Sequence, residues 1–144
     1  MIRALALWLA VLSTPALAWE FSPRPICTLS HLDELAETTV TYDPASGEYA
    51  IGIRLISSTW PAEDAFGIRF EGAAPNVIVT DRHQISESGT VLTVTDRGFG
   101  NVLNGLEFNA RAVALTGDLA VLIDLDGAAP EVARFRDCGT APTA

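Results

Sequence analysis

The chain has 144 residues, of which 9 are basic and 18 acidic, for a net charge of −9, and every basic residue is Arg. Such a surface repels phosphate backbones and anionic headgroups, and the Arg residues are scattered, so neither nucleic acid nor an anionic membrane surface is an expected partner. The length suits a single domain able to bury a core of its own.

In chain order, Met1-Ile2-Arg3 is a short positive start and Ala4 to Leu12 is an unbroken apolar run. Thr14-Pro15 breaks that run, and Ala16-Leu17-Ala18 offers small residues at the positions that define a cleavage site. This three-part pattern predicts a secretory signal peptide over residues 1–18, cut before Trp19. A spanning helix needs about 20 apolar residues, which this run lacks and no later segment supplies. The expected mature chain, 19–144, has lost only Arg3 among its charged groups. Eight Arg then stand against 18 acidic residues, a net charge of −10. Cys27 and Cys138 sit near its two ends, with no CxxC and no His at ligand spacing. In an oxidising compartment an even pair reads as a disulfide. Closing so long a loop removes roughly 4–5 kcal/mol of unfolded-chain entropy in the simple loop model.

Between the ends lie short alternating runs divided by turn residues. Glu37 to Tyr42 alternates, and Asp43-Pro44-Ala45-Ser46-Gly47 follows as a turn. Tyr49, Ile51, Ile53 and Leu55 share one strand face; Phe66, Ile68 and Phe70 share another. Asn76 to Thr80, His83 to Ser86 and Thr90 to Thr95 are further short runs. Arg111 to Thr116 and Leu119 to Leu125 flank Gly117-Asp118, a two-residue hairpin signal. About eight such strands predict an antiparallel β-sandwich or a flattened barrel. Two segments break the period. Val102 and Leu106 are spaced as in a helical turn, and Ala128 to Cys138 reads as a helix with Pro130 in its first turn. Both helical pieces are expected to cap open ends of the sheets.

The stretch TVTDRGFGNVLNGLEF, Thr93 to Phe108, carries Gly98, Gly100 and Gly105 just after a β-like run. A dinucleotide fingerprint would need Gly where Leu103 stands, and a Walker loop from Gly100 would need Lys and Ser or Thr where Leu106-Glu107 stands. The stretch therefore reads as a sharp bend before a helical turn, with positive φ expected at Gly98 or Gly100 and with Phe99 folded inward to plug the sheet end.

Val79-Thr80-Asp81-Arg82 and Val94-Thr95-Asp96-Arg97 repeat the same four letters. If His83 to Ser86 runs back, Asp81, Arg82, His83, Asp96 and Arg97 gather at one end of the sheet. They form either a polar ligand rim or ordinary turn chemistry, in which Asp caps turn amides and Arg pairs with Asp. The second reading is the more ordinary. His31-Leu32-Asp33-Glu34 offers ligand-capable side chains, but two His and no free thiol are a thin supply for zinc or copper, so these read as solvated surface residues and no metal or cofactor is expected. No GxSxG is present, and no catalytic residue is assigned. Trp19, Phe21 and Trp60, in Pro-flanked segments, are expected to pack over a sheet edge.

ALAWEF, PICTLSH, TVTYDP, FGIRFEG, TDRH, VTDRGFGNVLNGLEFNA and LDGAAPEVARFRDC resemble stretches of a family of short exported proteins of Gram-negative bacteria, and the resemblance covers nearly all of the mature chain. The family has no established activity, and some members carry the name of the ATPase component of excinuclease ABC. That name belongs to a large cytoplasmic DNA-repair protein with a Walker loop, so the resemblance implies no catalytic residue here. The expected function is a non-catalytic periplasmic binding or envelope-interaction module. A small-ligand or metal-binding protein using the Asp81/Arg82/His83/Asp96/Arg97 rim is the alternative, and a hydrolase comes third.

Overall fold

A computed structural model of the chain describes residues 18–138; the expected signal peptide lies outside them except for Ala18, which is exposed. Ten strands and two helices follow in order: β1 (Glu20–Ser22), β2 (Cys27–Leu32), β3 (Ala36–Asp43), β4 (Glu48–Leu55), β5 (Phe66–Gly72), β6 (Asn76–Thr80), β7 (Gln84–Ser86), β8 (Val91–Asp96), α1 (Gly100–Phe108), β9 (Asn109–Thr116), β10 (Leu119–Asp124) and α2 (Ala128–Cys138). They make two antiparallel sheets, of six strands in the order β1-β2-β3-β4-β8-β7 and of four in the order β10-β9-β5-β6. Both sheets are open at their edges, so of the two expected architectures the sandwich holds and the closed barrel does not.

The register explains the core. In the larger sheet Leu29, Val40, Ile51 and Val94 line up across four strands, and His31, Thr38, Ile53 and Leu92 form the next row. In the smaller sheet Val121, Ala114, Ile68 and Ile78 form a row, and Ile123, Ala112, Phe70 and Asn76 another. Because side chains alternate along a strand, these rows put one apolar face of each sheet into a single contiguous core.

β1 and β2 are not among the expected strands. β2 does alternate, with Cys27, Leu29 and His31 turned inward, but a His at an inward position hides the pattern. His31 is accordingly buried rather than solvated. Its ring stacks on Trp19 with centroids 4.9 Å apart, and Nε2 lies 3.1 Å from Asp33 Oδ1. Trp19 and Trp60 are also core residues rather than covers at an edge. Their indole N–H groups donate to the carbonyls of Asp124 at 2.8 Å and Ile53 at 3.0 Å.

The helices join the two sheets. α1 contacts β5, β6 and β9 of the smaller sheet, α2 contacts β1 and β2 of the larger, and the helices contact each other. α1 buries Val102, Leu103, Gly105 and Leu106. Its C-terminus is closed by Asn109, whose Nδ2 donates to the carbonyls of Gly105 at 3.0 Å and Ala74 at 2.9 Å. α2 buries Val132 and Phe135, and it ends at Cys138, bonded to Cys27 across a sequence separation of 111 with Cα atoms 6.1 Å apart.

Candidate functional site

β6 ends in the smaller sheet and β8 in the larger, so the two VTDR quartets do not finish on one sheet but face each other across the gap between sheets. The chain crosses that gap through Asp81, Arg82 and His83 on its way to β7. Arg82 turns toward the end of β8, and its Nη2 donates to Asp96 Oδ2 at 2.8 Å. The Arg82 amide donates in turn to Thr80 Oγ1 at 3.1 Å, which holds the crossing segment against the end of β6.

Behind this pair lies a cavity of about 180 Å³. Its walls are Ile51 of β4, Phe66 and Ile68 of β5, Ile78 of β6, Val94 of β8, and Phe99 and Val102 at the start of α1. Thr80, Arg82, Asp96, Gly98 and Asn101 surround its opening. The cavity exists because the two sheets diverge here while α1 closes one side. Phe99 does fold inward, as expected. Its ring is buried and stacks on Tyr49 at a centroid distance of 5.4 Å and an angle of 19°.

Electrostatically the opening holds one cation against one anion. The Arg97 backbone amide, at 2.7 Å from Oδ1, and then the Arg82 guanidinium hold the Asp96 carboxyl below the usual carboxylate range. Of the five expected rim residues, only Arg82 and Asp96 line the cavity. Arg97 gives Asp96 its backbone amide, while its side chain points away and donates from Nη1 to the Ser46 carbonyl at 3.1 Å. His83 lies behind Phe66, with ring centroids 6.0 Å apart and Nε2 2.9 Å from the Glu63 carbonyl oxygen. Asp81 is exposed and is not part of the lining.

The apolar walls and Asn101 were not legible in the sequence. Ile51, Ile68 and Val94 read there as ordinary core positions, and nothing in a strand's alternation distinguishes a residue packed on a neighbour from one facing a void. Among the described residues no group of three or more His, Cys, Asp or Glu stands together to hold a metal ion, and no helix is long and apolar enough to cross a membrane. A wider cleft of about 580 Å³ runs beside the disulfide between Pro23, Pro25, Pro44 and Arg134, but it is shallower and more open to solvent.

The glycines of the Thr93–Phe108 stretch serve the fold in a different way from that expected. Neither Gly98 nor Gly100 has positive φ, and a Cβ at either would meet open space. The bend is made with ordinary backbone, and Gly105 is the constrained one. It faces the Phe70 ring, where a Cβ would stand 2.5 Å from Cδ2 and Cζ.

Comparison of this chain with protein-family models, curated proteins and solved structures found no match.

Proposed function

We propose that this chain is an exported, periplasmic, non-catalytic binding module that holds a small apolar ligand in the intersheet cavity behind Arg82 and Asp96. The observation that carries this reading is the cavity's composition: apolar walls with a few polar groups gathered at one opening, the usual make-up of a small-ligand site. Binding rather than catalysis is supported by the direction in which Asp96 is shifted. A general acid or base works best with a pKa near the operating pH, whereas Asp96 is moved further below it.

Export rests on the signal pattern of residues 1–18 and on the resemblance to short exported proteins; a disulfide is compatible with an oxidising compartment. Mass spectrometry of periplasmic protein should find a chain starting at Trp19, and retention of Met1 would reject export with cleavage. A role in excinuclease ABC is the disfavoured alternative, since Leu106-Glu107 stands where the Walker Lys and hydroxyl would be. Salt-sensitive duplex binding or ATP hydrolysis by the purified protein would restore it.

The cavity is tested with benzene, a probe with no head group. Its titration should shift the methyl resonances of Ile51, Ile68, Ile78, Val94 and Val102, and Ile78→Trp, which fills the space, should abolish those shifts. Unchanged wild-type methyls at saturating benzene would overturn the reading.

One observation favours a second reading, an envelope-interaction module. The outer face of the smaller sheet exposes Val77 at 56%, Val79 at 67% and Leu122 at 52%. Gly67 lies between Val79 and Leu115 in the register and leaves a shallow depression there. Cross-links to periplasmic proteins that map to this face and disappear in Val77→Glu/Val79→Glu would support it.

A further inference from the structure

The size, walls and opening of the intersheet cavity also select a chemical class of ligand. Building on the reading of that cavity as the binding site, we propose that its ligand is a neutral molecule of about one aromatic ring carrying a hydrogen-bonding group, such as a hydroxyl, ring N–H or amide, rather than an acid or an amine.

Volume sets the size of the guest. The cavity measures about 180 Å³, and an apolar protein cavity of roughly 150 Å³ accommodates benzene. One ring and a short substituent fill the space. The walls set its shape. The rings of Phe66 and Phe99 contribute to an otherwise aliphatic lining of β-branched side chains, and aromatic walls favour an aromatic guest through offset or edge contacts.

The opening sets the head group. Arg82 and Asp96 stand 2.8 Å apart and already satisfy each other. A ligand carboxylate gains Arg82 only by displacing Asp96, and a ligand ammonium gains Asp96 only by displacing Arg82. Either exchange replaces one exposed ion pair by another and strands a charge, so it contributes almost nothing. An anion is further opposed by the protein's net charge of −9. A neutral donor or acceptor has no such conflict. The carboxylate has lone pairs beyond those taken by Arg82 and Arg97, and the guanidinium has N–H groups beyond the one on Asp96. A hydroxyl can therefore add a hydrogen bond to the pair while leaving it intact.

The test is a matched series on the full, disulfide-intact protein: toluene, benzyl alcohol, benzoate and benzylamine, each titrated while the cavity methyls are followed by NMR. Benzyl alcohol should bind tightest, by about tenfold over benzoate and benzylamine, a ratio of tenfold being one step of about 1.4 kcal/mol. Benzoate or benzylamine binding as tightly as benzyl alcohol, with shifts at the same methyls, overturns the neutral class while leaving the cavity standing as the site. Toluene binding as tightly as benzyl alcohol overturns the role of the head group. Absence of shifts with all four compounds overturns the class together with the cavity reading.

Two variants at the opening test the reason for the class. Arg82→Met frees the Asp96 carboxylate, so benzylamine should gain about tenfold. Asp96→Asn frees the Arg82 guanidinium, so benzoate should gain by a comparable factor. Both side chains are at the surface, and an unchanged wild-type amide spectrum away from the opening confirms that each variant is folded. Folded variants that keep the wild-type ranking would show that the ion pair does not select the ligand.

Discussion

Gly105 is the residue on which the glycine-rich stretch depends. It sits on the inner side of α1 against Phe70, which is 1% exposed and cannot move aside. Gly105→Ala would gain up to about 1 kcal/mol of helix propensity but force an overpacked contact that costs roughly 1–3 kcal/mol, so a net loss of about 1 kcal/mol is expected in urea melts. Gly98→Ala and Gly100→Ala, which meet open space, should stay within about 0.5 kcal/mol of wild type. Asp96 carries a pH dependence at the same scale. Its folded pKa is depressed, so its stabilising contribution is fully present above its ordinary value of 3.8 and is lost as pH falls through the lower folded value. The carboxyl carbon of Asp96 should therefore titrate by NMR with a midpoint below 3.8. In Arg82→Gln that midpoint should rise but stay depressed, because the Arg97 amide, the larger cause, remains. A wild-type midpoint at or above 3.8 would contradict this geometry of the cavity mouth.

At the scale of elements, α2 shows which interactions hold a helix to the sheets. Phe135 is 2% exposed and meets Phe21 edge-on at 6.5 Å and Tyr49 at 6.3 Å. Arg136 bridges to α1, donating from Nε to Glu107 at 3.1 Å and from Nη2 to Asn104 at 2.7 Å. The apolar contact should dominate. Phe135→Ala is expected to cost about 3–5 kcal/mol and Arg136→Ala at most about 1 kcal/mol, because a partly exposed ion pair is screened and entropically costly. Comparable losses in denaturant melts would show that polar bridges, not ring burial, dock the helix. Elements with a strong period were legible from sequence: β4 and β5 by alternation, α2 by Pro130 and the Val132–Phe135 spacing. β1 and β2 were not, because β1 has three residues and β2 places a His in its inward row.

At the scale of the whole molecule the Cys27–Cys138 bond ties the C-terminus of α2 to the second strand over a separation of 111 residues. A loop of that length corresponds to about 4–5 kcal/mol of removed unfolded-chain entropy. Reduction should therefore lower the melting temperature substantially, with the folded structure retained below the transition. Non-reducing digestion should yield the linked peptide pair, and two freely alkylated thiols in undenatured protein would refute the bridge.

Sequence alone determined the fold class, the partners of the disulfide and the absence of an intact phosphate-binding loop. These rest on local signals: alternation of two, turn residues, a count of two cysteines, and Leu106-Glu107 in place of a Walker Lys and hydroxyl. It also singled out Arg82 and Asp96, though together with Asp81, His83 and Arg97, since five polar residues near two strand ends look alike until the strands are placed. Tertiary structure separated them. It assigned β6 and β8 to different sheets, so that one Arg and one Asp span the gap while His83 turns to Glu63 and Arg97 to Ser46. It also decided where the cavity lies. A void is the absence of a neighbour, and which apolar residue lacks one depends on how two sheets diverge and where α1 closes them, a relation between distant segments that no local period encodes.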